Sequence, residues 1–162
     1  MVIKKEYMWL VGILVLVVGA LFFVFSGPKV SDYASLNDFE GDVTIYKSLS
    51  CGCCSVYVNY FKNKGSSRVQ VVDVGGDNSI KTESGVPNGL ESCHTTIIGD
   101  YFVEGHIPLE AVNRLLKEKP DIKGIAMSGM PPGSPGMPGT KIGDFVIYAV
   151  GYDGDYEEFM RI

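Results

Sequence analysis

The sequence predicts an α/β domain over residues 39–162, set behind one N-terminal transmembrane helix and carrying a C-terminal β-hairpin extension. Three observations predict it. After residue 38, short β-prone runs alternate with segments of helical period. Three of the chain's 4 cysteines crowd into Ser50-Cys51-Gly52-Cys53-Cys54, where the first β-prone run meets the first helical one. Residues 7–25 carry no charge at all.

That uncharged run, as a helix, would rise roughly 28 Å, close to the hydrocarbon thickness of a bilayer. Its end, Leu21-Phe22-Phe23-Val24-Phe25, offers no small-x-small cleavage site. Residues 1–25 therefore read as an uncleaved signal anchor rather than a removed signal peptide. Lys4 and Lys5 precede the run and only Lys29 follows closely, so the positive-inside bias places the N-terminus in the cytoplasm. The expectation is a single-pass cell-membrane protein with its domain on the extracytoplasmic side. Residues 26–38 mix Gly27, Pro28, Ser31 and Ser35 without an apolar period and read as a linker.

Val43-Thr44-Ile45-Tyr46-Lys47 is a β-prone run leading into the cysteine turn. From Cys53 the pattern is helical, with Val56, Tyr60 and Phe61 on one face and Gly65 as its end. Residues 69–74 form the next strand, and the polar stretch 75–85 holds one short helix. Residues 95–98 and 101–104 pair around Gly99-Asp100 as a hairpin. Pro108 opens a helix with Leu109, Val112, Leu115 and Leu116 on one face, and Pro120 stops it. Residues 145–150 and 156–160 close the chain as a second hairpin around Asp153-Gly154.

This order, with Cys-x-x-Cys where the first strand meets the first helix, resembles the thioredoxin fold. Helix N-terminal amides favour a thiolate, so Cys51 is the expected reactive thiol and Cys54 its partner if the pair is redox-active. In thioredoxins the loop entering the third strand lies against the dithiol and carries a cis-proline; this chain has Cys93-His94-Thr95 there. By that analogy the fourth cysteine and a histidine approach the other three.

A dithiol needs only two cysteines, which leaves Cys53 and Cys93 in surplus. Cys51, Cys53, Cys54 and Cys93 together are a donor set for a soft ion, Cu(I) before Zn(II). A plain structural disulfide between Cys51 and Cys54 is the competing reading, but it would close a tiny loop and stabilise little. Neighbouring residues at a strand entry point to opposite faces, so only one of Cys93 and His94 is expected to face the cluster; Cys93 is chosen, and His94 is kept as a possible metal ligand or an outward-facing group. His106 stands equally as a ligand and as a hydrogen-bonding turn residue. Met127, Met130 and Met137 lie in a Gly/Pro-rich stretch; Met130 and Met137 are possible soft donors, or packing for an irregular loop.

The strings Tyr46-Lys47-Ser48, Cys51-Gly52-Cys53-Cys54, Gly85-Val86-Pro87, Ser92-Cys93-His94-Thr95, Glu104-Gly105-His106-Ile107-Pro108 and the run from Gly129-Met130-Pro131 to Gly136-Met137 resemble one family. It is domain of unknown function 411, with its CopG-type copper-resistance proteins. The resemblance implies a thioredoxin-like fold, copper association and a redox role in copper handling. The chain departs from the family in its anchor, where other members are commonly exported as soluble proteins, and in Met127-Ser128.

Without residues 1–25, which carry Lys4, Lys5 and Glu6, the chain keeps 12 basic and 18 acidic side chains. That balance excludes nucleic acid as a partner class. The expected partners are the metal ion, the membrane through the N-terminal helix, and a copper transporter or copper chaperone. Two functions follow: a copper-binding protein holding Cu(I) on the cysteine cluster with redox coupling, or a thiol-disulfide oxidoreductase in which metal binding is incidental.

Overall fold

A seven-stranded mixed sheet, in the order β2-β1-β3-β4-β5-β6-β7, organises the domain. The computed structural model describes residue 9 and residues 13–18, 33–65 and 68–162. The chain divides into two compact units, Met1–Ser31 and Asp32–Ile162.

β1 (Val43–Lys47) alternates buried and half-buried side chains, so Val43 and Ile45 enter the core. It pairs in parallel with β2 (Val69–Asp73) and, on its other side, antiparallel with β3 (His94–Ile98). β4 (Tyr101–Glu104) returns from β3 through Gly99, whose φ of +58 permits the tight turn. β5 (Gly124–Ala126) runs parallel to β4, and β6 (Val146–Val150) and β7 (Tyr156–Arg161) complete the sheet in antiparallel sense.

This architecture corrects the expected thioredoxin-like domain with an appended hairpin. The sheet does not stop at Glu104. β5 bridges β4 to β6 and makes the C-terminal strands part of one continuous sheet. A three-residue strand beginning with glycine carries almost no period-2 signal, so sequence patterning passes over it. The glycine is nevertheless required, since a Cβ on Gly124 would stand 2.2 Å from the Phe102 carbonyl oxygen.

The helices cover the sheet. Helix α1 (Ala34–Asn37) lies in the stretch expected as linker; its Leu36 is fully buried and donates its amide to Asn113 Oδ1 at 3.2 Å. Helix α2 (Gly52–Lys64) buries Cys54, Tyr57, Val58 and Phe61, an i, i+3, i+4, i+7 stripe. Of the expected face, Phe61 is buried and Tyr60 packs half-buried against the core, while Val56 is 54% exposed. Helix α3 (Ser79–Ser84) follows β2. Helix α4 (Leu109–Glu118) begins after Pro108, buries Leu109, Ala111, Val112, Leu115 and Leu116, and ends at Lys119 (φ 48) just before Pro120. Ile45, Phe61 and Leu115, all fully buried in one core cluster, each contribute on the order of 2 kcal/mol by removal from water.

Among the described residues no helix is long and apolar enough to cross a membrane. This corrects the transmembrane helix expected within residues 1–25, and with it the single-pass membrane localisation and the membrane as partner. Helix is described there only at Trp9 and over residues 13–18, and the rest of the run lies outside the described residues. Hydropathy of a run does not determine the length of a helix, and a span needs about 20 continuous helical residues.

Candidate metal centre

The cysteine turn sits where β1 hands over to α2. Cys51 is the N-cap of that helix, and its sulfur accepts a hydrogen bond from the Cys54 amide at 3.3 Å. Cys51 and Cys54 are joined as a disulfide, while Cys53 and Cys93 are free thiols. Cys53 Sγ stands 3.5 Å from Cys51 Sγ and 4.0 Å from Cys93 Sγ. All four sulfurs lie within 4.8 Å of one another.

Across from the turn lies a shelf made by the start of β3 and the end of β4. Three consecutive residues of one grip three of the other. The Glu104 carboxylate accepts the Ser92 amide at 2.6 Å, the Gly105 amide donates to the His94 carbonyl at 3.0 Å, and His106 Nε2 meets Cys93 Sγ at 3.1 Å. Glycine is required at position 105, where φ is +86 and a Cβ would stand 2.9 Å from the Ser92 side chain and 3.0 Å from the Met127 carbonyl.

The shelf imidazoles are arranged as neutral donors. His106 Nδ1 lies 2.7 Å from the Pro135 carbonyl, which only accepts, so Nδ1 carries the proton. Its Nε2 lone pair then faces the Cys93 thiol. His94 is buried with its Nδ1 3.6 Å from Cys93 Sγ, and its Nε2 has no hydrogen-bond partner among the described residues. Burial first, then the neighbouring His106 and Lys81, pushes the His94 pKa down to about 3. Burial lowers His106 as well. Burial, reinforced by Cys53, pushes the Cys93 thiol up to about 11. Tyr57 packs beneath both rings, at 4.4 Å from His94 and 5.6 Å from His106 between ring centroids.

Cys93, His94 and His106 form a second donor group sharing Cys93 with the first. From the sequence, His94 is a possible ligand, with Cys93 preferred to it. The structure turns its ring inward against Tyr57, in the second donor group with Cys93 and outside the four-sulfur one. Soft sulfurs and neutral imidazoles at this spacing fit a soft transition-metal ion. Met130 is 49% exposed and Met137 half-buried, both on the loop that covers the start of α2, while Met127 is core. A Cβ on Gly136 of that loop would stand 2.9 Å from the Cys53 carbonyl and the Tyr57 amide.

A family model described as "Protein of unknown function, DUF411" matches residues 90–137, the segment that carries the shelf and the covering loop. The solved structure titled "Copper resistance protein copG- Form 2" is 30% identical, with a TM-score of 0.65 over 75% of this chain and 97% of its own. Its companion "Copper resistance protein copG- Form 1" is 29% identical, with a TM-score of 0.64 over 75% of this chain and 96% of its own.

The chain belongs to the DUF411 family of CopG-type proteins. No curated protein matches it. The Cys/His cluster and these neighbours together fit copper handling.

Sequence reasoning passed over the roles of three residues of this DUF411 site: Tyr57, Lys81 and Glu104. Tyr57 was visible only as an aromatic in a helix. Lys81 lies in the stretch 75–85, read only as polar with one short helix, and its buried pairing with Glu104 of β4, 2.5 Å away, was not foreseen. Burial pushes the Glu104 carboxyl up, against the pull of Lys81, Thr95 and the Ser92 amide. Its two oxygens accept three hydrogen bonds, from Lys81, the Ser92 amide and Thr95.

Proposed function

We propose that this chain binds Cu(I) through Cys51, Cys53, Cys54 and Cys93, with His106 and His94 as neighbouring imidazole donors, and couples that binding to the redox state of its cysteines. The observation that carries the reading is the convergence of four sulfurs within 4.8 Å. Thiolates are soft, charged donors and prefer Cu(I) to harder divalent ions. The Cys51–Cys54 disulfide bears on capacity. With it closed, Cys53 and Cys93 alone are available as thiolates. Its reduction by a dithiol consumes two electrons and two protons and frees two more thiols. The copper load then follows the redox state of the turn, with release to a copper chaperone or transporter.

Competition titration of the reduced chain without air tests the reading. Cu(I) should bind more tightly than Zn(II), and closing the disulfide should lower the copper taken up. Zinc binding tighter than copper would overturn the copper assignment.

The second reading, a thiol-disulfide oxidoreductase with incidental metal, is favoured by the disulfide at a helix N-cap. It leaves Cys53 and the Cys93–His106 contact without a role. Turnover of a disulfide substrate by a Cys93→Ser chain at the unaltered rate would favour it.

A further inference from the structure

Helix α3 is six residues long, and the residue it buries is a lysine. Lys81 is 5% exposed, whereas Ile80 beside it is only half-buried. Such an arrangement reverses the usual order of burial. The ammonium reaches Glu104 Oε1 at 2.5 Å and Thr95 Oγ1 at 3.1 Å. Thr95 in turn donates to Glu104 Oε2 at 2.6 Å, and the two are cross-strand partners in β3 and β4. A buried ion pair is a poor source of stability, since two charges leave water for one attraction. Its location is more informative. The one carboxylate bond that leaves the network goes to the Ser92 amide, at 2.6 Å, directly before Cys93.

We propose that Glu104, anchored by Lys81 and Thr95, is a positioning residue that sets where the Cys93 sulfur stands. The inference rests on the copper reading above only for its effect on the metal. The carboxylate holds the Ser92 amide and the Gly105 amide holds the His94 carbonyl, so the residues flanking Cys93 are pinned on both sides. The Cys93 side chain is thereby presented to Cys53 at 4.0 Å and to His106 at 3.1 Å at once. Lys81 and Thr95 hold the carboxylate on both oxygens, so it stays in place opposite the Ser92 amide. Without it the strand entry is free to rotate, and Cys93 is no longer shared between the two donor groups.

The test uses the full chain, reduced and metal-free, with Lys81→Met/Glu104→Leu removing both charges together, so that neither is left buried alone, and removing the acceptor of the Ser92 amide. Circular dichroism reports the fold, pulse alkylation with mass spectrometry reports the Cys93-to-Cys53 labelling ratio, and Cu(I) competition against a chromophoric chelator reports affinity. The folded double variant should raise the labelling ratio about threefold or more as Cys93 leaves its shielded place. Its Cu(I) affinity should fall about tenfold, the lower end of the loss seen when a group orienting a metal ligand is removed. A folded double variant with an unchanged labelling ratio overturns the proposal, even where copper binding falls, because the sulfur has then not moved. If the double variant does not fold, Thr95→Val decides: it keeps the ion pair, unties Oε2, and should raise the same ratio by a smaller amount. No change there overturns the proposal. If the unaltered chain takes up no Cu(I), the copper reading fails alone, and the labelling ratio still decides the positioning role.

Discussion

The cysteine turn and the shelf opposite both offer metal donors, thiols on the one and a thiol with two imidazoles on the other, and are built by opposite means. Residues 51–54 are held by their own helix: an N-cap, an amide-to-sulfur bond and a disulfide of sequence separation 3. The shelf has no such local support. Cys93 is placed by Glu104, Gly105 and His106, which lie across a hairpin, and by Lys81 from a helix that precedes both strands. A donor on a helix start survives the loss of a distant contact; a donor on a strand entry does not. The shelf is therefore where substitutions should be felt most, including at residues that touch no sulfur.

The largest expected effect follows from removing the donor common to both groups. Cys93→Ser should lower Cu(I) affinity by more than about a hundredfold, beyond the range of an orienting group. His94→Ala, beside Cys93 but outside the four-sulfur group, should cost about tenfold. Chelator competition on both variants, each checked for folding, measures the difference. Equal large losses would break the contrast and make His94 a full ligand.

A middle-sized effect separates the two regions by reactivity. In the reduced, metal-free chain Cys51 should be alkylated before Cys93. The helix N-terminus favours a thiolate at Cys51, whereas burial pushes Cys93 up to about 11. The sign follows directly: only the thiolate reacts, so Cys93 labelling should climb as pH rises from 7 towards that value. Pulse labelling across pH reads both. Cys93 labelling first at neutral pH would show that the shelf is not the shielded side.

The smallest effect concerns the loop that covers the turn. Gly136 has φ +87 and sits against the first turn of α2, so Gly136→Ala should destabilise the domain by about 1–2 kcal/mol. Urea unfolding measures it. An unchanged midpoint would mean that the loop does not seat on the helix.

Much of the local structure was legible in residue order alone. The β-prone run 43–47, the Gly99-Asp100 hairpin, the helix between Pro108 and Pro120 and the crowding of thiols at a helix start each depend on neighbours within a few positions. What was not legible depends on residues far apart in the chain. The membrane span and the thioredoxin-like outline were inferred from hydropathy and element order, neither of which reports the length of a helix or the strand that joins two halves of a sheet. β5 carries three residues and no pattern, yet it makes the sheet continuous. Nothing in the polar stretch 75–85 marks Lys81 for burial, and only folding brings it to Glu104 at 2.5 Å. The same holds for Cys93: its place in a motif marked it as a donor, but its neighbours are chosen by the register of β3 against β4, in which Thr95 faces Glu104. The chemistry of a side chain is intrinsic to it and can be read singly. Its burial, its partner and its direction are properties of the packed whole, because desolvation and hydrogen bonding are decided by whatever the fold places within a few ångströms.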